Sequence, residues 1–511
     1  MKNGLFLATA PVDIPQTVEA LKLSVSAFSP ELCLSGLFLI IVLLDLVLKS
    51  GRRKVIPAVA IVGFFVTGYF VFQQHSLEFG NYFLGMHAVD PFALFFKYLF
   101  LFSGILAILI SLSSEELTKS ATRSLGEYYA IVVAMVLGMF LMASASDMLM
   151  MYLSLELVSL SSYVLTGYLK GNIRSSEASL KYIIYGSVSS GLMIYGISIL
   201  YGLTGVTNIY AISDFLRIHD VDSVALLLSL LLIMGGFGYK IGAVPFHFWS
   251  PDVYEGAPTP VTAFLSVGSK AAGFAMLIRF LRVSFPSGAN EIGLDWVGLL
   301  SLLALTSMIL GNFVAVWQTN VKRILAYSSI AHAGYILLGV LVADDLGTQA
   351  VLFYLTAYTV MNIGAFFVII LISNKIGSDD INDYKGLGKR MPILAAALTV
   401  FLISLTGLPP TVGFIGKYMI FSALLSKGST FVLLATAGIL TSVVSLYYYF
   451  KIPLNMYLKE SESGNQSPIE FGILQNALVS FLMIMIFVMG VYFAPLSNLA
   501  KYSVSILGLL N

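Results

Sequence analysis

Fourteen stretches of about twenty apolar residues each constrain this chain more than any other feature. They centre near residues 40, 65, 102, 136, 158, 190, 234, 268, 305, 332, 361, 405, 440 and 482 of 511. A segment of that length and polarity crosses the hydrocarbon of a bilayer only as a helix, because every backbone amide must be satisfied inside the segment. Composition agrees: the chain is 58% apolar and 11% charged, against about 45–50% and about 25% in an ordinary soluble domain. So few ionic side chains cannot cover a 55.4 kDa globule. The expected fold is an all-α polytopic membrane protein of fourteen transmembrane helices, with short connections and no separate soluble unit, so that residues 1–511 form a single membrane domain. A net charge of +1 offers no basic field for nucleic acid. The lone Cys33 excludes a disulfide framework, a thiolate zinc site and a cysteine-ligated iron–sulfur cluster. Residues 1–29, with Pro11, Asp13, Pro15, Glu19 and Lys22, contain no uninterrupted apolar run, so no secretory signal is expected there.

Numbering the spans from 1 to 14, connections after odd-numbered spans carry sixteen of the 28 Lys and Arg residues. The opposite side, termini and Arg279 included, carries seven; five lie within spans. By the positive-inside rule the odd-to-even connections face the cytoplasm and both termini face outward.

An ionisable group at mid-bilayer costs about 2.5–3.5 kcal/mol to insert, so each one there asks for an explanation. Snorkelling explains Lys97, near Asp90, and interfacial placement explains Glu31 and Asp45 at the ends of span 1. Four residues resist that account. Glu156 sits at a helix centre among Ser154, Ser159, Ser161 and Ser162, either held as a packing feature or functional, as intramembrane acids are by default. Lys240 lies in GGFGYKIGAVPFHFW, where glycines and Pro245 predict two half-helices joined by unwound backbone. Lys417 has a matching setting in TGLPPTVGFIGKYMIF, a second discontinuous helix. Lys270 sits in a smooth apolar helix beside Ser266 and Ser269. Unwound backbone at membrane depth is tolerated only where protein buries it or where it lines an aqueous cavity. His247 follows the first break and His332 lies mid-helix one turn after Ser328 and Ser329; each is either a satisfied buried histidine or a relay group. His75, His87 and His219 read as interface or loop residues, and Lys181 could snorkel or pair with an acid.

Lys240 and Lys417 are 177 positions apart, and Glu156 and His332 are 176 apart. Broken helices in corresponding positions of two halves point to a transport site. The expected organisation is helices 1–3 in residues 1–125, a first five-helix repeat (helices 4–8) in 126–282, a second (helices 9–13) in 293–459, and a final helix in 468–494. A unit with an odd number of spans must invert when repeated. The chemistry such residues permit is proton movement: an ammonium in a low-dielectric site is destabilised by lost hydration and restabilised by a nearby carboxylate. No Walker loop and no dinucleotide fingerprint is present, so nothing here handles ATP, NADH or electrons.

Five stretches carry a family likeness: LSLELVSLSSYVLTGY at 153–168, EASLKYIIYGS at 177–187, GFGYKIGAVPFHFWSPDVYEGAPTPVTAFLSVGSKAAGFAM at 236–276, QTNVKRILAYSSIAHAGYILLG at 318–339 and LTGLPPTVGFIGKY at 405–418. With them the chain resembles the antiporter-like membrane subunits of respiratory complex I, the proton-pumping NADH:quinone oxidoreductase. The resemblance implies inverted repeats with helices 7 and 12 discontinuous, and proton translocation. It implies that Glu156 is the fifth-helix glutamate, Lys240 the seventh-helix lysine, Lys270 the eighth-helix lysine and Lys417 the twelfth-helix lysine; Lys181, His247 and His332 also fall on positions that the family fills this way. The chain ends some eighteen residues after its last span, resembling the members without a long C-terminal lateral helix. The resemblance implies no cofactor in this chain. It places quinone, iron–sulfur clusters and FMN in partner subunits, among them a hydrophilic arm and further antiporter-like subunits. Lipids are the other partners expected. The expected location is a bacterial inner (plasma) membrane or a thylakoid-type membrane, with NADH or ferredoxin as electron donor. A multisubunit or stand-alone cation/proton antiporter remains the alternative.

Overall fold

The computed structural model describes residues 14–48, 51–120, 125–285, 295–460, 467–505 and 507. Lys2, Lys49 and Arg123 of the orientation count, together with Pro11, Asp13 and the boundary residue 293, lie outside them. Thirteen described helices are long and apolar enough to cross a membrane. Spans 1–6 are Ser29–Val47, Arg52–Ser76, Pro91–Ser111, Gly126–Ser144, Met148–Thr166 and Ile173–Thr204. Span 7 begins with Ser223–Ile241; spans 8–11 are Thr259–Ser284, Trp296–Val316, Val321–Leu341 and Asp345–Ile376; spans 13 and 14 are Ser429–Leu458 and Ile473–Val491. Two shorter apolar helices, Pro392–Thr406 and Val412–Leu425, lie where span 12 was expected.

Both expected breaks are present, and local chemistry accounts for each. The first half of span 7 ends at Gly242, whose φ of +72° makes the left-handed C-cap that a side chain rarely adopts. The chain then turns through Pro245 and His247 before a short helix, Trp249–Gly256. The freed backbone groups find partners: the Ala243 amide donates to Gly238 at 2.8 Å, the Val244 amide to Ser307 Oγ at 2.9 Å, and the Trp249 indole to the Tyr239 carbonyl at 3.0 Å. Span 12 breaks in the same manner at Gly407, with φ +90°, ahead of Pro409 and Pro410. There the Gly413 amide donates to Ser404 Oγ at 3.2 Å, and Lys417 itself takes up the Thr406 carbonyl at 2.8 Å.

Span 8 differs from expectation. Lys270 follows a π-helical turn, Leu265–Ser269, rather than sitting in a smooth helix. The wider turn shifts the helix register just before the lysine, a device common at functional sites; Ser266, returning its hydroxyl to the Ala263 carbonyl at 2.7 Å, helps to satisfy the loosened backbone.

Spans 8, 10 and 11 are enclosed almost completely by their neighbours, whereas spans 1, 13 and 14 keep broad apolar faces outward, as lipid-facing helices do. The enclosed part includes polar groups that were expected at the surface. Glu31 and Lys97 are both fully buried and paired at 2.7 Å, so neither reaches an interface. Arg279, assigned to a connection, lies wholly inside span 8 and forks onto Asp90 at 2.7 and 2.9 Å. His87 is buried on one of two short antiparallel strands, Gly80–Tyr82 and His87–Val89, that join spans 2 and 3. Glu31, Lys97 and Arg279 each meet an opposite charge brought from another part of the chain, which lets burial override the pull of the interface. Asp45 does lie at a helix end, 4.0 Å from Arg52.

Candidate functional site

The helix breaks place lysines in the interior. Lys240, in the last turn before the first break, is 1% exposed and donates to Ser159 Oγ on span 5 at 3.0 Å. Ser159 lies nearly one helical turn after Glu156, so the lysine and the glutamate face the same groove. Glu156, half-buried, accepts a hydrogen bond from Ser190 of span 6, whose oxygen also lies 3.1 Å from the Tyr152 hydroxyl. No ion pair within 4.0 Å joins Glu156 to Lys240 among the described residues; a serine holds each charge instead.

The left-handed turn at Gly242 brings backbone against the next lysine: a Cβ there would lie 3.3 Å from Lys270 Nζ. A Cβ at Gly273, on the Lys270 helix, would lie 3.2 Å from Lys240 Cγ, so the two lysine helices are in direct contact. Lys270 donates to the Ser329 carbonyl at 3.1 Å and to Ser329 Oγ at 2.7 Å, and stands 5.8 Å above the Tyr254 ring. His332 comes three residues later on span 10. Its Nδ1 is 2.6 Å from the Tyr354 hydroxyl of span 11 and its Nε2 3.2 Å from the Tyr449 hydroxyl of span 13, which also bonds Ser328. One ring nitrogen can donate while the other accepts, so His332 joins two hydroxyls whichever tautomer it adopts.

Lys417 ends the row. It donates to the Thr406 carbonyl and to Ser442 Oγ, both at 2.8 Å, and lies 4.7 Å from the centre of the Tyr335 ring, which meets His332 edge-on at 5.7 Å. The Gly407 turn is tighter against it than Gly242 is against Lys270: a Cβ would fall 2.8 Å from Lys417 Cδ. A side cavity of about 540 Å³, bordered by Phe414, Tyr418 and Phe421, opens beside the ammonium. Glu156, Lys240, Lys270, His332 and Lys417 thus form one row of polar groups across spans 5, 7, 8, 10 and 12. All three lysines are held by hydroxyls and carbonyls rather than by carboxylates.

Two expected members lie off this row. Lys181 is partly exposed on span 6 and pairs with Glu177 and Asp252, each at 2.7 Å. Asp252 also meets Arg323 at 2.9 Å, so this rim network ties span 6, the second half of span 7 and span 10 together. His247 is buried in the break itself, and its Nδ1 has no hydrogen-bond partner among the described residues. The tyrosines that bridge the row went unremarked in the sequence. A signal was available: the Tyr447–Tyr449 run in an apolar span puts Tyr448 and Tyr449 inside the protein.

Comparison with known proteins gives three kinds of likeness. A family model described as NADH:quinone oxidoreductase/Mrp antiporter, TM, matches residues 145–445. NADH-quinone oxidoreductase subunit N 2 of Chloroherpeton thalassium is 68% identical over 507 residues, covering 99% of each chain. A chain of respiratory complex I from Thermus thermophilus, solved with bound aureothin, superposes with a TM-score of 0.74 at 28% identity, covering 92% of this chain and 99% of that one. A chain of the Mrp complex from Dietzia shares the fold, with a TM-score of 0.77 at 20% identity over 95% of this chain and 98% of that one.

Proposed function

Because the chain belongs to the NADH:quinone oxidoreductase/Mrp antiporter family, and within it to subunit N, we infer that the row from Glu156 to Lys417 is the path by which it moves protons. The observation that carries this reading is the set of three enclosed lysines, each within hydrogen-bond reach of a hydroxyl and each at or beside a break or π turn. Glu156, Lys240, Lys270, His332 and Lys417 are its stations; Lys181 and His247 stand at its margin, the first in the rim network and the second in the break.

The physical handle is the gap between Glu156 and Lys240. With Ser190 holding the carboxylate and Ser159 the ammonium, the two charges are apart. A unit pair closed to about 4 Å at an effective dielectric near about 20 is worth about 4 kcal/mol, some three powers of ten in proton affinity. Closing the gap holds a proton on Lys240, and opening it releases the proton toward Lys270. Ser329, His332 and Tyr449 carry it on toward Lys417, beside which the Tyr335 ring stands as a wall. Quinone reduction in partner subunits drives the cycle, with NADH or ferredoxin as donor. Quinone, iron–sulfur clusters and FMN belong to those partners and no cofactor to this chain.

The same reading gives two inverted five-span units, 126–282 and 293–459, flanked by 1–125 and 468–494. The matching breaks at Gly242 and Gly407 and the equal 32-residue lengths of spans 6 and 11 support it. It places the chain in a plasma or thylakoid-type membrane, both termini outward, beside further antiporter-like subunits and a hydrophilic arm. Purification in mild detergent tests it. Co-migration with subunits that carry iron–sulfur clusters is expected; a complex of membrane subunits alone would identify a cation/proton antiporter instead.

A further inference from the structure

Two buried ion pairs lie near the strand end of spans 1, 3 and 8, and they are built differently. Asp90 and Arg279 are saturated. The carboxylate accepts both arms of the guanidinium and caps span 3 through the Ala93 amide at 2.7 Å, while Arg279 Nε donates to the Ala143 carbonyl at 2.9 Å. Arginine stays charged at any accessible pH, so this pair can only hold shape.

Glu31 and Lys97 are not saturated. Lys97 sits 2.7 Å from Glu31 Oε1 and gives a second bond to Gln74 Oε1 at 3.1 Å. Beyond the ammonium, neither Glu31 oxygen meets a donor among the described residues. The same Oε1 faces the imidazole of His87, whose Nε2 is 3.7 Å away. Both ring nitrogens of His87 are buried and without a hydrogen-bond partner among the described residues. A buried ion pair left under-bonded is a poor stabiliser, since each ion loses several kcal/mol of hydration that only good geometry and further hydrogen bonds recover. Lysine and histidine, unlike arginine, can give and take protons.

We propose that Glu31, Lys97 and His87 are a second proton-exchange site, in which the Glu31 carboxylate passes a proton between the lysine inside span 3 and the histidine on the strand pair. An N–H bond of Lys97 breaks as an O–H bond forms on Glu31 Oε1; that O–H bond then breaks as an N–H bond forms on His87 Nε2. No electrons move, and the cluster's total charge stays constant, which a dry interior requires. The other charged and titratable groups facing the site are Asp90 and Arg279, with Tyr210 beside them, and the remaining walls are Gln74, Phe28 and Phe140. Burial together with the Lys97 and Arg279 charges holds the His87 imidazole well below its ordinary value, so it rests neutral with a lone pair free to accept. Loss of the Lys97 charge removes one of those two repulsions at the moment the proton arrives.

The site serves the proton pumping inferred above and rests on that reading. The test uses the whole assembled complex, reconstituted in liposomes, and counts protons moved per electron pair. Glu31→Gln keeps the shape of the acid and cannot carry the proton; its expected loss of pumping matches that of Lys240→Ala. Infrared difference spectra of the turning-over wild type should also show a protonated-carboxyl band that Glu31→Gln abolishes. His87→Gln, on the strand pair, gives the same pumping loss if the span 1 variant fails to assemble. Normal pumping in Glu31→Gln or His87→Gln alongside a deficient Lys240→Ala overturns this site and leaves the main row standing. Normal pumping in Lys240→Ala overturns the main row itself.

Discussion

Gly407→Ala should uncouple the twelfth span at a single methyl group. Residue 407 sits at φ +90°, a conformation that costs a non-glycine residue about 1–2 kcal/mol. The added Cβ would also stand 2.8 Å from Lys417 Cδ, 3.4 Å from Cε and 3.5 Å from Nζ. The backbone at the break is pinned, so the lysine must give way, and its bonds to the Thr406 carbonyl and Ser442 Oγ, both 2.8 Å, lose their alignment. A hydrogen bond to a charged group is worth about 1.5–3 kcal/mol, so losing one disfavours the working position of the ammonium by about tenfold or more. Gly377→Ala separates strain from function. Gly377 also has a left-handed φ, +72°, at the end of span 11, but a Cβ there meets nothing within 4 Å. Both variants should lower the half-inactivation temperature of the complex, Gly407→Ala by more because its methyl group also displaces Lys417. In everted vesicles with a pH-sensitive dye, only Gly407→Ala should lose proton pumping, by about tenfold on the same hydrogen-bond arithmetic. Equal pumping in the two would refute the claim that the position of Lys417 matters.

Other consequences are simpler to state. Lys417→Arg keeps the charge but cannot release a proton, and should impair pumping in an assembled complex; full activity would mean that charge alone suffices. Arg279→Met strands a buried Asp90 and should cost about 3–5 kcal/mol, seen as reduced recovery of the chain in the complex; Asp90→Asn added to it should restore part of that recovery. Because the folded state disfavours the charged form of His87, the unfolded chain binds more protons below its ordinary value of 6.5, and stability should fall as pH drops from there. His87→Gln should flatten that decline by up to about 1.4 kcal/mol per pH unit; an unchanged profile would remove His87 from it.

The spans, both helix breaks and the lysines beside them were legible in the sequence because each rests on a local cause. Apolar length demands a helix, and Gly242 with Pro245, or Gly407 with Pro409 and Pro410, interrupts one. The lysines at 240 and 417 stand close enough to those interruptions to share their burial. What escaped depends on which distant span lies opposite. Glu31 and Lys97 each look like helix-end charges when read alone, and only the meeting of their side chains across spans 1 and 3 turns them into a buried pair at 2.7 Å. Arg279 looked like a loop residue until Asp90, 189 positions away, drew it into the interior. The π turn before Lys270 leaves no mark in a run such as LSVGS, whose residues suit an ordinary helix equally well. The bridging tyrosines of spans 11 and 13 do not stand out in the sequence, because an aromatic in an apolar helix usually means packing.

The central claim is that buried amines between Glu156 and Lys417 carry protons during turnover. The most direct measurement is the number of protons moved per electron pair by the complex in liposomes, compared between wild type and Lys240→Ala at equal assembly. A lower ratio in the variant is the predicted result. An unchanged ratio, with quinone reduction proceeding normally, would contradict it.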